Sequence, residues 1–175
     1  MKLSVIIPVY NEESTIAEVI RRVASVTIEG VDKEIIVADD GSTDSTSSII
    51  AKTQRDESII KVHTSLINLG KGAAVRYGLE YATGDVIIIQ DADLELNPEE
   101  YAKLLEPILN GTADVVYGSR FMQKNPNIRK SKKGQISASG PESQIFAHWP
   151  RRRRPPVTET KLGQWPFTHE KSSKI

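Results

Sequence analysis

Asp91-Ala92-Asp93 is the segment of this chain best suited to chemistry. It closes an apolar run, Val86-Ile-Ile-Ile-Gln90, and residues i and i+2 of an extended segment face the same way. Both carboxylates can therefore approach one cation, and Ala92 between them leaves room for a ligand to lie against the backbone. Oxygen-only ligation suits Mg²⁺ or Mn²⁺, with a substrate phosphate completing the shell. Two like charges this close are costly without a counter-ion, which weakens a purely structural reading of the pair.

Two more clusters and two single cations carry usable side chains. Asp39-Asp40-Gly41-Ser42-Thr43-Asp44 follows a second apolar run, Glu34 to Ala38. Adjacent residues on a strand point oppositely, so one of Asp39 and Asp40 is expected to face a ligand. A carboxylate there could accept the imide N–H of uracil, or the N1–H and 2-amine of guanine, although the same residues also make good turn and N-cap chemistry. In Pro8-Val9-Tyr10-Asn11-Glu12, Tyr10 offers an aromatic face to a base and Glu12 a carboxylate to the sugar or base edge. Taken alone, that segment reads more readily as a helix-entry turn. Lys71, within Asn68-Leu-Gly-Lys-Gly-Ala-Ala74, opens a helix where backbone N–H groups and a cation could meet phosphate. Arg120, in Gly118-Ser119-Arg120, supplies a guanidinium suited to phosphate. Lys71 and Arg120 are equally well read as surface cations. If the acids share one cleft, each bare carboxylate–phosphate pair repels by roughly 4 kcal/mol at about 4 Å and an effective dielectric near 20. A divalent cation reverses that sign.

The elements that must position these residues alternate. Leu3 to Pro8, Glu34 to Ala38, Ile59 to His63, Val86 to Gln90 and Asp114 to Tyr117 read as strands. Between them, Ile16, Val19, Ile20 and Val23 form a helical stripe, and helices are expected over roughly 44–55 and 71–82. Asn97-Pro98-Glu99-Glu100 opens a fourth helix, with Asn as N-cap, Pro at the first position and acids in the first turn. Its stripe is Tyr101, Leu104, Leu105, Ile108 and Leu109. This βαβαβαβαβ order implies an α/β fold, a mostly parallel sheet with helices on both faces. Such sheets bind ligands outside the carboxyl ends of their strands, where the three acidic clusters are expected to converge. The nicotinamide-type G-x-G-x-x-G is absent after the first strand, and Gly70-Lys71-Gly72 does not satisfy G-x-x-x-x-G-K-[ST].

Composition divides the chain. The 175 residues carry 23 basic and 23 acidic side chains, a formal net charge of zero, which excludes a strongly basic nucleic-acid binder. The zero joins unlike parts: residues 1–122 hold 11 Lys and Arg against 20 Asp and Glu, and residues 123–175 hold 12 against 3. The second part also has six of the nine prolines and no sustained periodicity, so it is expected to be irregular or disordered. The absence of cysteine excludes disulfides and thiolate metal sites and fits a reducing compartment. The apolar run in Met1 to Glu13 is too short for a signal peptide, and nowhere do 18 apolar residues run together.

As an ordered set, Val5-Ile-Ile-Pro-Val-Tyr-Asn-Glu12, Val37-Ala-Asp-Asp-Gly-Ser-Thr-Asp44, Asn68-Leu-Gly-Lys-Gly72, Thr83-Gly-Asp85, Asp91-Ala-Asp-Leu94 and Val116-Tyr-Gly-Ser-Arg-Phe121 point to one family. The set resembles the inverting family-2 glycosyltransferases of GT-A fold, particularly the polyprenyl-phosphate branch similar to dolichol-phosphate mannosyltransferases. The resemblance implies that Pro8, Tyr10, Glu12, Ala38 and Asp40 line a nucleotide pocket, with Asp39 and Lys71 beside it. It implies that Asp91 and Asp93 hold Mg²⁺ or Mn²⁺ and the donor diphosphate, and that Ala92 touches the donor through its backbone. Asp93 and Arg120 are the residues it places in catalysis, Arg120 near the phosphates. The implied acceptor is a lipid phosphate, already ionised near neutral pH, so attack on the anomeric carbon needs no protein base. Residues 1–122 indeed offer no convincing His or Glu for that task.

The resemblance stops at Phe121. Family members continue with helices that complete the acceptor side, and Met122 onward offers no counterpart, nor the other branch's downstream acidic base and Q/R-x-x-R-W element. The expected organisation is an incomplete nucleotide-sugar-binding domain, residues 1–122, and a basic, Pro-rich tail, 123–175, of unrelated or shifted-frame sequence. In that tail Lys130, Lys132, Lys133 and Arg151 to Arg154 could dock on an anionic membrane at about 1 kcal/mol per cation. Non-specific nucleic-acid binding is a weaker option, with aromatics limited to Phe146, Trp149, Trp165 and Phe167. A solvated tail is favoured over both. The expected function is transfer of a sugar, with inversion, from a UDP- or GDP-sugar to polyprenyl phosphate, in the cytoplasm or peripherally at the inner membrane face. A non-catalytic nucleotide-sugar or metal-binding remnant is the first alternative. A phosphate-responsive receiver domain is disfavoured, because its acidic pair should follow the first strand, where Pro8-Val9-Tyr10 stands.

Overall fold

The computed structural model describes residues 1–56, 58–117 and 145–148. Eleven elements follow in order: β1 Lys2–Val9, α1 Ile16–Ser25, β2 Asp32–Asp39, α2 Thr46–Asp56, β3 Ile60–Thr64, α3 Lys71–Tyr81, β4 Val86–Ile89, a 3-10 turn Pro98–Glu100 running into α4 Tyr101–Leu109, β5 Val115–Tyr117 and β6 Ile145–His148. They build one sheet in the order β3-β2-β1-β4-β6-β5. The first four strands are parallel, whereas β6 runs antiparallel to both β4 and β5.

The expected strands and helices are all present within a few residues of their expected ends. β1 and β2 are buried almost throughout because helices cover both faces of a parallel sheet, which explains their unbroken apolar runs. Alternation along β1 sends Leu3, Val5, Ile7 and Val9 into a core shared with Ile16, Val19, Ile20 and Val23 of α1, Ile50 of α2, and Tyr101 and Leu105 of α4. Ile6 points to the opposite face with Ile36, Ile87 and Ala82. There α3 lies so close that a Cβ on Gly78 would stand 2.3 Å from Ile6 Cγ2. The Asn97 side chain accepts the Glu99 N–H at 3.2 Å and so caps the 3-10 turn that begins at Pro98 and leads into α4, rather than α4 itself.

One element departs from the sequence reading. The stretch 123–175 was expected to be irregular, yet Ile145–His148 forms β6, inserted between β4 and β5. Four residues are too few for periodicity to register, and an antiparallel neighbour from a distant part of the chain is a purely long-range choice. The remaining expectations for the tail, including Lys130, Lys132, Lys133 and Arg151 to Arg154, lie outside the described residues. Among the described residues no helix is long and apolar enough to cross a membrane.

The strand order reverses between β1 and β4: the chain moves outward from β1 through β2 to β3, then crosses back to β4 on the other side. Pairing of β1 with β4 ends at Ile6 and Ile89, while β1 continues beside β2 to Val9. Pro8, which has no N–H for a ladder, stands in that unpaired stretch. The sheet therefore parts at its carboxyl edge, the position where open α/β sheets form their crevice.

Candidate functional site

A cavity of about 320 Å³ occupies this parting. Its wall is made by Pro8 and Val9 at the end of β1, Tyr10 and Glu12 after it, Asp40 after β2, Asn68 before α3, Lys71 and Ala74 of α3, and Asp91, Ala92 and Asp93 after β4. Four carboxylates and one lysine thus converge on one space.

The loops are locked to one another by short polar contacts. Asn11 adopts φ 53°, a left-handed conformation that asparagine tolerates, and turns the chain sharply after Tyr10. Its side-chain carbonyl accepts the Thr43 N–H at 2.8 Å, and its own N–H donates to Ser42 Oγ at 3.0 Å. Glu12 donates its N–H to Thr46 Oγ1 at 2.8 Å, and its carboxylate accepts the Thr15 hydroxyl at 2.8 Å. Asp44 accepts the Thr46 N–H at 2.9 Å, and hydrogen bonding from Thr46 holds its carboxyl below the ordinary value. The loops after β1 and β2 are therefore one polar unit.

Asp39 and Asp40 take opposite sides, as alternation requires. Asp40, only 2 % exposed, faces the cavity and accepts the backbone N–H groups of Leu69 (3.0 and 3.1 Å) and Gly70 (2.6 Å). It thereby fixes the loop that carries Asn68 and Lys71. Asp39 turns into its own loop, where it accepts the Ser42 N–H at 3.0 Å, the Ser42 hydroxyl at 2.6 Å and the Ser47 hydroxyl. Gly41 between the loops has φ +75°, and a Cβ there would lie 2.7 Å from the Ile67 carbonyl carbon.

On the other wall, Asp91 is ion-paired to Lys71, with Nζ 2.7 Å from Oδ1. Its backbone is held by a buried relay: the Tyr101 hydroxyl donates to Gln90 Oε1 at 2.6 Å, and Gln90 Nε2 donates to the Asp91 carbonyl at 3.2 Å. Burial pushes the Tyr101 phenol well above its ordinary value, so the hydroxyl remains a donor. Asp93 is more open and accepts the Glu95 N–H at 3.1 Å.

Of the residues expected at the site, Pro8, Tyr10, Glu12, Asp40, Lys71, Asp91, Ala92 and Asp93 are brought together. Ala38 is buried within β2, and neither it nor Asp39 is part of the wall. Arg120 lies outside the described residues. Val9, Asn68 and Ala74 complete the wall without having been singled out. Asn68 had a signal, as the polar residue beside the Gly70-Lys71 turn, and Ala74 lies one helical turn beyond Lys71. Thr83-Gly84-Asp85, by contrast, serves the far end of the sheet. Thr83 and Gly84 bond to Glu34 and Ser4, Asp85 accepts the Lys2 N–H at 2.9 Å, and a Cβ on Gly84 would meet Ser4 Oγ at 2.6 Å.

Among the described residues no group of three or more His, Cys, Asp or Glu side chains is placed to hold a metal. Asp91 and Asp93 supply oxygen alone, and both face the same cavity. That donor set fits a hard divalent cation that keeps its waters and takes further oxygens from a phosphate ligand.

Comparison with known proteins gives a consistent result. The sequence model for "Glycosyl transferase family 2" matches residues 4–171, a span that continues across the stretch beyond Phe121. A dolichol-phosphate mannosyltransferase of Pyrococcus furiosus is 39 % identical over 123 residues, covering 70 % of this chain and 34 % of that protein. An undecaprenyl-phosphate 4-deoxy-4-formamido-L-arabinose transferase of Salmonella choleraesuis is 34 % identical over 183 residues, covering 99 % of this chain and 54 % of its own. The mannosyltransferase PcManGT from Pyrobaculum calidifontis, solved with GDP-Man and Mn²⁺, superposes with a TM-score of 0.57 at 25 % identity, covering 65 % of this chain and 34 % of that one. The chain therefore spans about half, or less, of the length of these relatives.

Proposed function

Because the chain belongs to glycosyl transferase family 2 and has the GT-A fold, we propose that its cavity binds a nucleoside-diphosphate sugar and that the sugar passes, with inversion, to a polyprenyl phosphate. The observation that carries this reading is the convergence of Tyr10, Glu12, Asp40, Lys71, Asp91 and Asp93 on one cavity at the strand-order reversal.

Each residue has a physical task in it. Tyr10, 44 % exposed at the rim, stacks on the base, and Asp40 accepts base N–H groups of uracil or guanine. Glu12, fixed by Thr15 and Thr46, takes a hydroxyl of the ribose. Asp91 and Asp93 hold Mg²⁺ or Mn²⁺, which when bound offsets the charge of the diphosphate and stabilises it as a leaving group. The acceptor phosphate attacks the anomeric carbon as an anion, the bond from that carbon to the diphosphate breaks, and no protein base is required. Leu66, Ile67 and Leu69, 100, 64 and 54 % exposed, flank Asn68 at the cavity wall and give the rim an apolar surface suited to a lipid acceptor at a membrane face.

Calorimetric titration of UDP and GDP, with and without Mn²⁺, tests the donor site. Binding of one nucleotide should require the metal, and Asp93→Asn should weaken it at least about tenfold while leaving the melting temperature unchanged. Metal-indifferent binding, or an unchanged dissociation constant in the variant, would refute the assignment. Turnover with polyprenyl phosphate tests the acceptor, and donor binding without turnover would support the second reading, a binding module that does not transfer.

A further inference from the structure

The ion pair between Lys71 and Asp91 joins two residues of the cavity wall to which the donor reading gives different partners. Asp91 would hold the cation, and Lys71 is a phosphate ligand by position; here they hold each other at 2.7 Å. We infer that Lys71 is an exchangeable counter-ion, which neutralises Asp91 while the cavity lacks a divalent cation and moves to the donor's phosphate when the cation and donor enter together. The inference rests on the donor reading above and adds to it a mechanism that couples metal and nucleotide.

Burial makes the exchange necessary. Asp91 has only 12 % of its side chain exposed, and a carboxylate so placed needs a counter-charge in every state of the protein. A lysine ammonium and a divalent cation on the same carboxylate repel each other, so one displaces the other. Geometry makes the exchange possible. Lys71 is 52 % exposed, a point charge on a flexible four-carbon stem. The backbone beside it is fixed, because the Gly70 N–H donates to Asp40 at 2.6 Å, so the motion is confined to the side chain. Both groups line the same cavity, and the displaced ammonium therefore finds the arriving phosphate within it.

Two opposite effects follow from one residue. Metal entering alone must break the Lys71–Asp91 pair without bringing the lysine a phosphate, so Lys71 weakens it. Metal entering with a diphosphate gives the lysine a new partner, so Lys71 strengthens the pair of ligands. By linkage the nucleotide must then tighten metal binding by the same factor by which metal tightens the nucleotide.

The test is calorimetry on the full chain, titrating Mn²⁺ alone, then UDP and GDP at saturating Mn²⁺, for the native protein, Lys71→Met and Lys71→Arg. Lys71→Met should bind Mn²⁺ alone about twofold to fivefold more tightly, the range set by removing one partly exposed competing cation. It should bind the nucleotide more weakly by a similar factor, and Lys71→Arg should retain most of the native coupling. Lys71→Gln, with circular dichroism as the folding check, replaces the Met variant if that variant loses structure. Native nucleotide binding that needs Mn²⁺, combined with unchanged or weaker Mn²⁺ binding in Lys71→Met, would overturn the exchange and leave the donor reading intact. Native binding indifferent to Mn²⁺ would overturn the donor reading and the exchange with it.

Discussion

Replacing Glu34 by Gln tests the polar cluster that ties the sheet together at the end opposite the cavity. The Glu34 carboxylate has 5 % of its side chain exposed and lies 2.8 Å from Lys2 Nζ and 3.0 Å from Lys61 Nζ. Thr83 donates its N–H at 2.6 Å, and Ser4 its hydroxyl at 2.5 Å. Burial pushes this carboxyl up, but hydrogen bonds from Lys2, Ser4, Thr83 and Lys61 outweigh burial and hold it well below the usual carboxylate range. Glu34→Gln keeps the shape, removes the charge and turns an amide NH₂ toward a ring of donors. The lysines are 34 and 43 % exposed, so each lost pair is worth no more than about 1 kcal/mol. A donor facing the Thr83 N–H adds about 1 kcal/mol. The total, at most about 3 kcal/mol, lowers Tm by up to roughly 10 °C in a domain of this size.

The pH dependence is as diagnostic as the size. Because folding depresses the Glu34 pKa, the unfolded chain binds more protons below the ordinary value of 4.5. The contribution of Glu34 is therefore complete above that pH and is lost progressively as pH falls toward the folded value. Melts by circular dichroism from pH 7 to pH 2.5 should show the largest gap between native protein and variant at pH 7, narrowing below about pH 4.5. A gap that stays constant with pH, or one below about 0.5 kcal/mol at pH 7, would show that the carboxylate is not held as described.

Two further outcomes follow from the loops around the cavity. Gly41→Ala places a Cβ 2.7 Å from the Ile67 carbonyl carbon at φ +75°, whereas Gly30→Ala, at φ +70°, meets nothing within 4 Å. Urea unfolding should cost Gly30→Ala about 1 kcal/mol and Gly41→Ala at least about 2 kcal/mol, and equal losses would contradict the close approach of the two loops. Tyr101→Phe removes the donor to Gln90 Oε1 with no change of shape, so stability should fall by about 1 kcal/mol. Mn²⁺-dependent nucleotide binding should weaken by up to about tenfold through the shifted Asp91 backbone, and an unchanged affinity would detach Tyr101 from the site.

Local physics makes much of this protein legible from residue order alone. The stripe Ile16, Val19, Ile20, Val23 is buried as its spacing requires, and the Asn97 side chain caps the 3-10 turn that leads into the fourth helix. The clusters after the strands could be placed at one edge because a parallel βαβ order puts every strand's carboxyl end on the same side. Tyr10, Glu12, Asp40, Lys71, Asp91 and Asp93 line one cavity at that edge.

Other features depend on groups far apart in the chain, about which local pattern is silent. Alternation says that Asp39 and Asp40 diverge, but only the position of the Leu69–Gly70 backbone decides that Asp40 faces the cavity. Thr83-Gly84-Asp85 looked like part of the same motif set as the site, yet packing against Ser4 and Glu34 assigns it to the opposite end of the sheet. The insertion of β6 between β4 and β5, from a stretch with little apolar signal, is likewise a matter of strand edges meeting. Lys71 and Asp91 are separately visible as a cation and an acid, but their ion pair exists only because α3 and β4 converge on the same opening. Residue order supplies the charges; the crossover from β3 through α3 to β4 decides which of them must neutralise one another.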